Sequence, residues 1–369
     1  MEMFVLLGLF VLLPVGFFIT WYQRQAYESM MNQIAQQLGL VVVAGGWFSE
    51  ASLRGSVGTT SVTVDTETTG TGKHRKVNTR IRLRDETALS FATVRAEGMM
   101  SHMGKMVGVS DFHVGDPAFD RHVNLQTSNP SDTLARLGAH ARPRVLAAVR
   151  VGWSLSGGTW SWRANGMVRS AEELLPTLKV GLAALEATQL PEGAETALWQ
   201  TVQEDPHPDV RRNALTERLR LLPKPTVDQL EPIAQRGGGE GMVAAAAMGA
   251  KGYPWLDRML GDPEWGIEAA LRLARLGRWS NTAEDVAMHG LTGPHVDVAI
   301  EALALAGSVV AVQPLSALTG MLSPQRSAAM AAIDAIQSRA KGTFGDLALA
   351  DITGGELSMA QPRRRPLSE

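Results

Sequence analysis

One helix opening recurs through the second half of this chain, and its period leaves few folds open. Asp205-Pro206-His207-Pro208 leads into Asp209-Val210-Arg211-Arg212-Asn213-Ala214-Leu215. Aligning on Val210/Ala214/Leu215 places Val243/Ala247/Met248, Gly266/Ala270/Leu271, Val298/Ala302/Leu303 and Ala328/Ala332/Ile333 in register, at intervals of 33, 23, 32 and 30 residues. Self-similarity near that period, with a small residue on one helix face, is the mark of stacked helix pairs. No pair buries its apolar face alone, so each requires a neighbour. Residues 191–341 are therefore expected to form an all-α solenoid of about five pairs. The short interval calls for a shortened first helix over Tyr253–Leu260, and Gly252, Gly277 and Gly307 stand where helices should end. Beyond 341 the period disappears. Residues 342–369, with Gly354-Gly355 and Gln361-Pro362-Arg363-Arg364-Arg365-Pro366, are expected to be a flexible tail.

The other end of the chain is apolar. Met3 to Tyr22 contains no charge, and about 20 residues of helix cross a hydrocarbon core. A cleaved leader is the rival, but Glu2 replaces the basic n-region and no small-x-small site follows. Residues 1–25 are thus read as a retained transmembrane anchor. Arg24 after the run and Glu2 before it place the bulk of the chain in the cytoplasm.

Residues 26–190 mix the two periods. Ala26–Leu40 carries Tyr27, Met30, Met31, Ile34 and Leu38 at helical spacing. Thr60–Glu67 and Val77–Arg84 alternate as strands around a Gly-rich loop, and Leu89–Val94 reads as another strand. Val149–Leu155 and Thr159–Arg163 flank Ser156-Gly157-Gly158 as a hairpin bearing Trp153, Trp160 and Trp162. Ser131–Ala141, with Pro143 beyond it, and Ser170–Leu190 read as helices, capped by Ser131 and Ser170. Strands and helices do not alternate regularly, so this is an α+β domain with an antiparallel sheet.

The Asp205–Leu215 stretch resembles the consensus of HEAT-like repeats of the phycobilisome-lyase type. Asp262-Pro263-Glu264-Trp265 with Ala269-Ala270-Leu271, and Ala299–Gly307, are weaker matches. The likeness covers about Glu195–Ala340. It implies a binding scaffold for a protein partner, with no cofactor. Gly115-Asp116-Pro117-Ala118-Phe119-Asp120 is similar to a signature of membrane-anchored bacterial proteins, which implies a single-pass protein of the bacterial inner membrane. That signature carries no transferable chemistry.

Few residues suggest a reaction. The chain has no cysteine, which excludes disulfides and thiolate chemistry. A net charge of −2 offers no basic excess for nucleic acid. His113, Asp116, Asp120 and His122 could hold a divalent metal and support a metal-dependent enzyme, but their spacing matches no standard ligand set. The simpler reading makes Gly115-Asp116-Pro117 a turn with Phe119 and Val123 as core anchors. Lys73–Arg84 forms a basic hairpin, with Arg80, Arg82 and Arg84 on one strand face, open to solvent or to anionic lipid. Catalytic residues are not expected; a protein-binding scaffold is.

Overall fold

The computed structural model describes residues 25–45, 50–70, 76–85, 89–97, 111–190, 193–320 and 323–343. The expected anchor at residues 3–22, the loop around Lys73 and the tail after 343 lie outside them. Among the described residues, no helix is long and apolar enough to cross a membrane. The chain forms two compact units, Met1–Leu222 and Pro223–Glu369.

The first unit is built on an eight-stranded antiparallel sheet. In chain order its strands are β1 (Val41–Val43), β2 (Ser52–Val57), β3 (Thr60–Thr69), β4 (Lys76–Arg84), β5 (Ala92–Ala96), β6 (Val123–Thr127), β7 (Ser154–Ser156) and β8 (Thr159–Arg163). Their spatial order is β1-β2-β3-β4-β8-β7-β5-β6. β3 and β4 run side by side from Ser61↔Arg84 to Thr69↔Lys76. The alternation predicted for them fills one face with Val62, Val64, Ile81 and Leu83, all buried. The Gly157-Gly158 turn closes the short β7–β8 hairpin as expected.

Residues 25–38 are helical (α1), and Tyr27, Met30, Met31 and Ile34 are buried as their spacing predicts. Short helices follow: α2 (Pro117–Asp120), α3 (Pro130–Arg136), α4 (Ala141–Arg150) and the long α5 (Ala171–Ala187). Ser170 caps α5 by accepting from Glu172 N at 3.2 Å.

Two local readings are corrected here. The single helix expected over Ser131–Ala141 is two helices. α3 is capped by Asn129, whose side chain accepts from Asp132 N, and it ends at Arg136. Pro143 lies inside the first turn of α4, where a missing N–H breaks no helical bond. Val149 belongs to α4 and not to a strand. Val149-x-Val151-x-Trp153 satisfies the strand period, but Val145, Ala148 and Val149 are buried at helical spacing. Trp153 therefore precedes β7 and enters the core, where its indole N–H donates to Thr177 O on α5 at 3.1 Å.

Helix pairs make up the rest. α6 (Ala194–Glu204) and α7 (Pro208–Arg218) complete the first unit. The second holds α8 (Val227–Arg236) with α9 (Gly238–Ala247), α10 (Tyr253–Met259) with α11 (Gly266–Arg275), α12 (Asn281–Gly290) with α13 (Val296–Ala306), and α14 (Val312–Ser316) with α15 (Arg326–Thr343). Every aligned triplet falls on the second helix of a pair, with Met248 at the C-cap of α9, and α10 is the shortened helix. Ala214/Leu215, Ala270/Leu271, Ala302/Leu303 and Ala332/Ile333 are all buried. α9 departs from the alignment. Ala247 is exposed, and the buried small pair is Ala244/Ala245, three residues earlier. α9 begins directly after Gly237 with no Asp-Pro turn; Val243 and Met248 are buried as aligned, and only Ala247 turns to solvent.

Within the second unit α9 touches α11, α11 touches α13 and α13 touches α15, so second helices form a row. Leu271, Ala299, Ile300, Leu303, Ala332, Ile333 and Ile336 belong to one buried cluster along that row.

Gly181 provides a sharp packing test. A Cβ there would lie 2.4 Å from the Trp153 ring. Gly181→Ala should cost about 1–3 kcal/mol as overpacking. Chemical denaturation of the purified full chain will show it as a lower midpoint. An unchanged midpoint would refute the Trp153–α5 packing.

Candidate functional site

The two motifs singled out in the sequence meet in the first unit. Asp205 follows α6, and Asp116 opens α2. Between them stands Arg142, on the apolar stripe of α4 with Val145 and Val149. Its Nη1 and Nη2 donate to Asp205 Oδ2 and Oδ1 at 2.7 and 3.0 Å. Its Nε donates to Asp116 Oδ2 at 2.8 Å, and Nη1 also reaches Leu137 O at 3.0 Å. The Arg142 and Asp205 side chains are 3% and 0% exposed. Burial of an unpaired charge would cost several kcal/mol. The planar fork answers both carboxylates in fixed geometry, which a lysine could not do.

Each carboxylate also organises backbone. Asp116 Oδ1 accepts from Ala118 N and Phe119 N at 3.0 and 3.3 Å, capping α2 over the buried Phe119. Asp205 Oδ1 accepts from His207 N at 3.0 Å and so shapes the entry to α7. His207 Nε2 stands 3.5 Å from Asp116 Oδ2. Asp120 Oδ1 and Oδ2 accept from Val114 N and Gly115 N at 3.1 and 2.9 Å. Asn213, one turn into α7, donates to Val114 O at 3.0 Å.

Gly115 is what lets the two segments close. Its φ is +103°, and a Cβ would lie 2.8 Å from the Asp209 carbonyl carbon and 2.9 Å from Val210 N. Only glycine accepts both the dihedral and the approach of the α7 backbone.

Burial alone would raise the Asp116 carboxyl. The Arg142 guanidinium, the Phe119 N–H and His207 outweigh it and hold that carboxyl below the ordinary value. Burial likewise opposes the Arg142 charge, and the hydrogen bonds it donates to Asp205 and Asp116 outweigh that and raise its pKa.

The metal reading of His113, Asp116, Asp120 and His122 finds no ligand geometry. Asp116 and Asp120 turn their oxygens to Arg142 and to backbone N–H groups. Among the described residues, no three His, Asp or Glu side chains gather as metal ligands. The chain matches no protein-family model, no curated protein and no solved structure. The role of this constellation must therefore come from its own geometry.

A cleft of about 410 Å³ adjoins it, lined by Gly138, His140, Gln189, Gln200, Thr201 and Asp205 among others. Three of its polar side chains already serve the fold. Thr201 Oγ1 donates to Ala197 O at 2.9 Å, Gln200 Nε2 to Glu204 Oε2 at 2.9 Å, and Gln189 Nε2 to Asp85 Oδ2 at 3.1 Å. Thr201 thus meets a backbone carbonyl in place of a base. The arrangement clamps α2, α4 and the α6–α7 pair together.

Arg142 escaped the sequence reading. The available signal was a charged residue at i, i+3, i+7 with Val145 and Val149, on a helix face that should be apolar.

Two outcomes follow. Arg142→Leu strands two buried carboxylates and should lower stability by about 3–5 kcal/mol. Asp116→Asn should cost less, and its deficit should depend on pH. A depressed carboxyl contributes stability that is present above its unfolded pKa of about 3.9 and is lost as pH falls through the lower folded value. The gap between wild type and Asp116→Asn should therefore hold from neutral pH to roughly pH 5 and narrow below it. Denaturation series across pH measure this; a gap that widens on acidification would contradict the assignment.

Proposed function

We propose that the chain is a membrane-tethered adaptor whose HEAT-like helical array binds a protein partner. The observation that carries this reading is the row α9–α11–α13–α15, in which α11, α13 and α15 share one core with α12 and α14. Such arrays expose one long surface without needing a catalytic centre. That surface has apolar points left over after its core is filled. Leu305 on α13 is 46% exposed, and Val310 in the following turn is 69% exposed, with Val309 beside it. Exposed apolar side chains of this kind anchor partners when they cluster.

Residues 3–22 supply the tether in this reading and leave the bulk of the chain on the cytoplasmic face of a bacterial inner membrane. The buried Arg142–Asp205 pair bears on how the reading is tested. A fragment starting at Glu195 would lose Arg142 and leave Asp205 unpaired, so the full chain is the proper reagent. A photo-crosslinking residue at position 310 or 305 in the full chain should yield a discrete adduct in cells. Val310→Asp, combined with the crosslinker at 305, should remove it. Absence of any adduct at both positions, with the chain folded and in the membrane fraction, would overturn the adaptor reading.

A further inference from the structure

The sheet of the first unit has a second face, and it is charged. Side chains alternate across a strand; with Leu53, Val62, Ile81 and Trp160 on the buried side, Arg54, Arg80, Arg82, Arg84 and Arg163 fall on the other. Strand register sets them in rows. Arg54 is opposite Thr63, which is opposite Arg82, which is opposite Ser161. The next rows are Asp65–Arg80–Arg163 and Ser61–Arg84–Thr159. Adjacent strands lie about 4.8 Å apart, so Arg54 and Arg82 are about 10 Å apart at their backbones, and Arg82 and Arg84 about 7 Å.

β3 brings two carboxylates to this face. Asp65 takes Arg80 at 2.9 Å and Arg82 at 2.7 Å; Glu67 takes Arg80 at 3.2 Å and Arg163 at 3.7 Å. Among the described residues of β2, β3, β4 and β8, five arginines against two acids leave a positive excess, and exposed Arg54 and Arg84 have no acidic partner among the described residues. Ser61, Thr63 and Ser161 put hydroxyls between the guanidinium groups. No aromatic ring from β2, β3, β4 or β8 joins them among the described residues: Trp160 and Trp162 pair with Leu83 and Ile81 and share their face.

We propose that this face docks on anionic phospholipid headgroups and so orients the unit on the bilayer. Guanidinium forks and hydroxyls suit phosphate. A flat basic face without stacking rings does not suit single-stranded nucleic acid, whose sheet-bound forms rely on base–aromatic contacts. The inference leans on the tether in the reading above, because an anchor ending at residue 22 delivers α1 and this sheet to the membrane surface. Arginines near an acidic leaflet are attracted to it and released by salt.

The chain has no cysteine, so Ser61→Cys gives a single labelling site beside Arg84. The labelled full chain is reconstituted into phosphatidylcholine vesicles, and into vesicles also containing phosphatidylserine. An environment-sensitive fluorophore should shift only in the acidic vesicles, and added salt should reverse the shift. Arg54→Gln with Arg84→Gln should weaken the response by roughly fivefold per arginine, whereas Arg54→Lys with Arg84→Lys should keep most of it. An unfolding midpoint checks that each variant folds. Equal signals in both vesicle types overturn the proposal, and so does a shift produced in neutral vesicles by inorganic phosphate or a short oligonucleotide. Retention on neutral vesicles through a high-salt wash reports the tether separately. If retention fails, serine-lipid-dependent binding of the labelled chain becomes the readout, and its absence again overturns the docking face.

Discussion

The first unit depends on one guanidinium. Arg142 sits where a packed helix should present an apolar side chain, and it is tolerated only because Asp116 and Asp205 arrive from two other segments with matched geometry. A buried ion pair adds little net stability over an apolar substitute, yet removing one partner is costly. Its effect is therefore selective. It penalises every arrangement in which the loop before α2, the start of α4 and the end of α6 are not together. Asp116 and Asp205 then spend their remaining oxygens on backbone N–H groups and set the entries to α2 and α7.

This changes the meaning of the Asp-Pro-x-Pro-Asp-Val-Arg stretch. In a stacked array, such residues would pack against the neighbouring repeat. Here Asp205 pairs with α4, the Asp209–Val210 backbone meets Gly115, and Asn213 holds Val114 O. Ser131 Oγ donates to Glu217 on α7 at 2.7 Å, adding a second tie from α3. The α6–α7 pair is thus held by the α+β part of the first unit through polar contacts. Helices α11–α15 instead share an aliphatic core of alanine, leucine and isoleucine.

Much of the architecture was legible because it rests on periodicity. Alternation in β3 and β4 and the spacing in α1 and α5 come from apolar residues facing one side, a signal that is local. The helical period located the second helix of each pair and foresaw the short α10. Errors arose where two local patterns coincided. Val149–Trp153 fits a strand template while Val145–Val149 fits a helix, and only the packing of α4 against α5 decides between them. In α9 the aligned Ala247 is exposed while Ala244 and Ala245 are buried, because a run of alanines offers several equivalent faces. The basic hairpin was visible as composition, but its pairing with Asp65 and Glu67 needed the strand register.

By itself the sequence determined a sheet-bearing α+β part followed by helix pairs, since hydrophobic periods and turn residues act over a few positions. The tertiary structure alone decided that residues 116, 142 and 205 form one constellation. Charge pairing at a distance leaves no periodic trace in a single chain. It depends on which surfaces the folded backbone brings within about 3 Å, the reach of a hydrogen bond.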